Sequence, residues 1–142
     1  MTVQMILLPL FAEVILTFGL LVALGPLRSN DLKSGVARPD TISLREPNWS
    51  KRSLQVAFSF SNQFEVPVLF YVLTILAYIT HLAGVAFVVM AWIFVAFRYL
   101  QAYIHVTSNN VRWRGGLFGV AAVDLAVMWV IYMVQILTGP WV

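Results

Sequence analysis

Residues Ala83–Val106 read AGVAFVVMAWIFVAFRYLQAYIHV, an apolar run whose one formal charge is Arg98. At about 1.5 Å of rise per residue a helix of this length reaches roughly 36 Å. The hydrocarbon core of a bilayer is about 30 Å thick and needs about 20 mainly apolar residues. This stretch therefore reads as a membrane-crossing helix. Three more stretches of the same kind flank it, at residues 3–27, 54–80 and 117–138. The expected fold is all-α: one domain, 1–142, built as an integral membrane four-helix bundle.

Composition agrees. Of the 142 residues, 61% are hydrophobic and 11% charged, against about 45–50% and about 25% in soluble domains. A soluble globular domain, a disordered chain and a nucleic-acid module are excluded on that ground. The chain has no cysteine, so it has no disulfide framework, thiolate metal site or cysteine nucleophile. Two histidines, His81 and His105, are too few for a histidine-rich site, and no metal is expected. The first apolar run lacks a positive n-region and is followed by Arg28, so it reads as a span rather than a signal peptide.

Connections are unequal. The long one, residues 28–53, holds six basic and three acidic residues with Gly35, Pro39 and Pro47. It reads as a polar loop with a short interfacial helix near Pro47–Lys51 and Trp49 at headgroup level. A tight turn surrounds His81–Gly84, and the third connection, Thr107–Gly116, carries Asn109, Asn110 and the Gly115-Gly116 pair as breakers. All nine Lys and Arg residues fall on one side: Arg28, Lys33, Arg38, Arg45, Lys51 and Arg52 in loop one, Arg112 and Arg114 in loop three, and Arg98 toward that end of span three. Because positive residues gather in cytoplasmic loops, loops one and three are expected inside and both termini outside.

Each span also carries one ionisable group: Glu13, Glu65, Arg98 and Asp124. Such groups are costly in a bilayer, usually face protein, and mark function by default. Counted from the basic side, Glu65, Arg98 and Asp124 fall at similar depth, so a shared chamber is expected in which Arg98 pairs with Glu65, Asp124 or both. Glu13 counts nearest mid-bilayer, reads as protonated or hydrogen-bonded to a neighbouring helix, and is assigned no chemistry. Asn62 and Glu65 share a helix face at i, i+3, and Pro67 breaks the ladder there, freeing a carbonyl near Gln63. Arg98, Gln101 and His105 form one stripe, and Tyr99 and Tyr103 a neighbouring one. Plainer readings stand beside these. Arg98 and His105 fit snorkelling toward headgroups, the tyrosines fit an aromatic belt, and Glu65 or Asp124 fits a structural interhelical pair. His81 reads as a surface histidine.

Two of these segments resemble a known family, the membrane-associated proteins in eicosanoid and glutathione metabolism (MAPEG). Span two reads NQFEVPVLF from Asn62 to Phe70, similar to the family's N-x-x-E with a following proline and an L-F pair. Span three reads RYLQAY from Arg98 to Tyr103, which resembles the R-Y-x-Q-x-Y run of the leukotriene C4 synthase branch. The wording SNQFEVPVLFY with HVTSNNVRWR is similar to uncharacterised bacterial members.

The resemblance implies a homotrimer in the bacterial cytoplasmic membrane, with glutathione as co-substrate held between subunits and a lipophilic small molecule entering from the membrane lipid. Carried over by position, Asn62 and Glu65 would hold the peptide part of glutathione. Arg98, Tyr99, Gln101 and Tyr103 fall on the family's span-three positions, and Arg28 matches an arginine that binds a glutathione carboxylate. Phe58 and Asn110 stand where glutathione-using members carry arginines, and Val66 where the leukotriene branch often has tyrosine. Arg112 or Arg114 is then left to stabilise a thiolate, and Arg112 is the catalytic candidate. Three functions follow: a glutathione-dependent transferase or peroxidase acting on lipophilic electrophiles, a non-catalytic binder of a lipid-like or anionic ligand on the same fold, or an accessory subunit of a membrane complex.

Overall fold

A computed structural model describes residues 2–44 and 47–139; Arg45, one of the nine basic residues, lies outside the described residues. Helix α1 is Val3–Lys33, α2 is Lys51–Ser61, α3 is Val66–Ile79, α4 is Val85–Val106 and α5 is Val111–Thr138. Four helical segments, with α2 and α3 together forming the second, are long and apolar enough to cross a membrane. All regular structure among the described residues is helical.

Span two, expected over 54–80 with its ladder broken at Pro67, is broken there. A 3-10 turn at Asn62–Phe64 ends α2, and Glu65, at φ −99° and ψ −108°, stands outside both helices. Pro67 sits in the first turn of α3. It has no N–H to give back to the preceding turn, and its ring clashes with a continuing helix, so one span becomes two rods.

Helix ends depart from the sequence expectation. α1 runs through Pro26 to Lys33, beyond the expected end at Leu27. Ser34 and Gly35 close it: the Ser34 and Ala37 N–H groups donate to the Asn30 and Asp31 carbonyls at 2.9 and 3.1 Å. Gly35 takes φ +74°, a left-handed conformation that costs glycine little. α5 begins six residues before the expected Leu117, because Asn110 caps it. The Asn110 Oδ1 accepts from the Arg112 and Trp113 N–H groups at 3.1 and 3.3 Å. Gly115 and Gly116, read as breakers, are helical; a cost of about 1 kcal/mol per glycine is outweighed by the cap and the apolar run behind it. The short interfacial helix expected near Pro47–Lys51 is absent: residues 47–50 are non-helical, the loop's helical turn is Pro39–Thr41, and α2 starts at Lys51 behind the Ser50 cap. Trp49 precedes it, with the Arg28 guanidinium 4.8 Å from its ring centroid.

The core divides in two. Away from the basic loops it is apolar: Phe70 stacks on Phe94 with centroids 4.6 Å apart, and Leu73, Ala77, Ala91, Leu125 and Met128 fill in around them. Toward the basic loops it is polar. The buried stripe of α2 with its 3-10 extension is Ser53, Val56, Ser59 and Gln63, and α4 faces it with Arg98, Gln101 and His105. α1 buries Ile6, Pro9, Glu13, Leu20, Leu24 and Asp31, steps of three, four and seven residues that draw one stripe. Large apolar side chains such as Ile15, Val22, Val85 and Leu137 cover the outside, as a bilayer solvent requires.

Candidate functional site

Arg98 stands at the centre of the polar half-core, 1% exposed. The stripe spacing of α4 turns it inward, along with Gln101 one turn later. Its Nε donates to Glu13 Oε1 at 3.4 Å, its Nη1 to Gln101 Oε1 at 2.5 Å, and its Nη2 to the Asn62 carbonyl at 2.9 Å. A guanidinium is a planar fork of five donors, so one side chain reaches three helices at once. The Tyr99 hydroxyl adds a fourth link, donating to the Ala12 carbonyl of α1 at 2.7 Å. Neighbouring residues on α4 thus hold the same turn of α1, and Arg98 also holds the end of the 3-10 turn's parent helix.

This corrects the expected pairing. Arg98 is joined neither to Glu65 nor to Asp124; its carboxylate is Glu13, 0% exposed. The carbonyl that Arg98 holds at the break is Asn62's, next to Gln63. Counting from the basic side misplaced Glu13 because α1 overshoots there by more than a turn. Counted from the other ends, Glu13 lies ten residues past Val3 and Arg98 thirteen past Val85. That difference is about 4.5 Å of rise, within the span of an arginine side chain. The signal was in the sequence, in the ends of the helices that carry no charge.

The remaining candidates divide by exposure. Gln101 is buried beside Arg98, and Asn62 is half-buried. Glu65 is exposed at the break between α2 and α3, and Tyr103 is 66% exposed on α4. Arg28 is exposed where α1 leaves the apolar region, stacked on Trp49. Arg112 is exposed in the first turn of α5. Neither arginine has a hydrogen bond or ion pair linking its side chain to Arg98, Asn62 or Glu65 among the described residues. Phe58, at the place of an expected arginine, is 55% exposed. His81 is exposed in the α3–α4 turn, at φ +58°. No group of three or more metal-ligating side chains occurs among the described residues.

Several buried polar atoms of the half-core have no partner: Glu13 Oε2, Gln63 Oε1 and His105 Nδ1, with Asp124 Oδ2 and Trp129 Nε1 elsewhere. Buried polar groups are nearly always satisfied by protein or by ordered water. The arrangement is therefore a polar interior built around an ion pair, with the Glu65 carboxylate and the Tyr103 phenol exposed on the outside. Beside the break a groove of about 400 Å³ runs between α1 and span two, lined by Val14, Phe18, Phe60, Phe64, Tyr71 and Ile75 among others. Its wall is almost wholly apolar.

No curated protein and no solved structure matches the chain. A model of the MAPEG family matches residues 6–134, a range that takes in most of the first and fourth spans, all of the second and third, the Glu13–Arg98 pair and the broken segment at Asn62–Pro67. With four membrane-capable helices and both motif segments inside the matched range, the chain belongs to the MAPEG family.

Proposed function

We propose that this protein is a homotrimer of the bacterial cytoplasmic membrane, with both termini outside, that binds glutathione between subunits and uses it against lipophilic electrophiles. The observation that supports this best is the exposure of Glu65. A carboxylate left facing lipid would cost about 2.5–3.5 kcal/mol, so a second subunit and a cationic ligand group are its natural cover. Glutathione offers one ammonium and two carboxylates. Glu65 suits the ammonium, the Asn62 side chain and the exposed Tyr103 hydroxyl suit the peptide groups, and Arg28 suits a carboxylate, since charge-assisted hydrogen bonds are the strong ones. Arg98, Gln101 and Tyr99 support this site from within the subunit.

Glutathione supplies a sulfur nucleophile. A cation beside a thiol favours its charged form, and in this reading Arg112 has that role. The sulfur then forms a bond to the electrophilic carbon, the leaving group departs with its electron pair, and the thiol proton passes to solvent. Calorimetry in mild detergent tests the reading: glutathione should bind the wild type, and Glu65→Gln should weaken that binding at least tenfold. Native mass spectrometry should give three copies; a stable monomer or dimer refutes the assembly.

One observation favours a second reading, a non-catalytic member that binds a lipid-like molecule. The apolar groove beside the break and the exposed Phe58 suit a hydrocarbon better than a tripeptide. Glutathione failing to bind while a lipophile co-purifies would select it.

A further inference from the structure

We infer that Glu13 is a positioning residue: through Arg98 it fixes the break in span two and so the way Asn62 and Glu65 are presented at the subunit surface. The inference rests on the proposal that the break forms part of the ligand site, and its structural half stands apart from glutathione.

The geometry carries it. Arg98 is hydrogen-bonded both to α1 and to the end of α2, donating to Glu13 Oε1 and to the Asn62 carbonyl. The Asn62 carbonyl belongs to the segment where Pro67 and the non-helical Glu65 have ended the helical ladder. A carbonyl has two lone pairs, and beyond the bond of the 3-10 turn this one takes the Arg98 Nη2 as a second donor, which ties the end of span two's first rod to α4. Arg98 supplies the donor, but a guanidinium has several rotamers and must be aimed. Gln101, on the same helix, holds Nη1. Glu13, from another helix, holds Nε. Two fixed nitrogens of a planar group determine where the third points. Tyr99 pins the preceding turn residue, Ala12, to the same helix, so Glu13 cannot move away from Arg98 by sliding α1. Glu65 comes three residues after Asn62, on the far side of the short 3-10 turn, and inherits its direction from that carbonyl's anchorage. Glu13 touches neither Asn62 nor Glu65 itself; it acts through the arginine.

Because the chain contains no cysteine, a single introduced cysteine gives a clean spin-label site. Ser61→Cys reports on the last residue of α2, and Val130→Cys on the exposed face of α5 as a control. Each label is introduced into the wild type, into Glu13→Leu and into Glu13→Gln, which keeps an oxygen acceptor and is the milder change. The expected result is a label at 61 with a rotational correlation time at least twofold shorter in Glu13→Leu, shortened in the same sense in Glu13→Gln, and a label at 130 that is unchanged. Glutathione affinity should fall at least tenfold in Glu13→Leu. Unchanged spectra at 61 in both variants overturn the inference. Equal loosening at 61 and 130 also overturns it, since the pair then holds the bundle as a whole. If the wild type does not bind glutathione while the label at 61 loosens as described, the positioning role stands and the glutathione reading falls.

Discussion

Arg98 and Phe58 decide the two sharpest outcomes at the scale of single residues. Removing the guanidinium with Arg98→Ala leaves the Glu13 carboxylate buried without its partner. Breaking a buried pair from one side costs about 3–5 kcal/mol, and thermal unfolding in detergent should show a loss of that order. Phe58 marks a missing contact: a hydrogen bond to a charged group contributes about 1.5–3 kcal/mol, or about 10- to 150-fold in affinity. Wild-type glutathione binding should accordingly be weak, and Phe58→Arg should tighten it within that range by calorimetry. The residues of this site were unevenly legible. Arg98 announced itself, because an arginine in an apolar span needs a partner. Glu13 did not, because α1 is apolar on every side and no periodicity in the letters tells its buried stripe from its lipid-facing one. Tyr99 looked like a ligand contact, and its bond to a backbone carbonyl follows from tertiary placement alone.

At the scale of elements, the join between α1 and α2 rests on one carboxylate. Asp31 Oδ2 accepts from the Ser50 N–H at 3.1 Å, the Ser50 hydroxyl at 2.8 Å and the Ser53 hydroxyl at 2.5 Å. Ser50 is also the cap of α2, its hydroxyl accepting from the Ser53 N–H. Asp31→Ala should therefore destabilise by about 1.5–3 kcal/mol, and amide exchange should quicken in the first turn of α2 ahead of the rest. The existence and order of the spans could be read from hydropathy, since a bilayer fixes the length of an apolar run. Their ends could not. Capping by Asn110 overrode the punctuation that Gly115 and Gly116 suggested, and α1 ran past its expected end to close at Ser34 and Gly35. The break near Pro67 was legible from the proline, but not the 3-10 turn that leads into it.

For the whole molecule, the asymmetry of charge is the organising fact. Every described basic residue belongs to one side of the bundle or leans toward it, and the positive-inside rule predicts both termini outside. A reporter active only in the cytoplasm, fused after Val142, should stay silent; activity would reverse the topology. The Glu13–Arg98 pair then has a consequence for biosynthesis. Its two members are 85 residues apart in sequence, so the first span enters the membrane long before its counter-charge has been made. Fifteen Leu, Ile, Val and Phe residues lie between Val3 and Leu27, at about −0.3 to −0.6 kcal/mol each on the insertion scale. They outweigh the roughly 3 kcal/mol of one mid-span acid, and the span inserts alone. The second span follows with its bend still unfastened. Only when the third leaves the ribosome does an arginine arrive to close the joint, so a nascent chain arrested before Val85 should hold two inserted helices whose shape is not yet set.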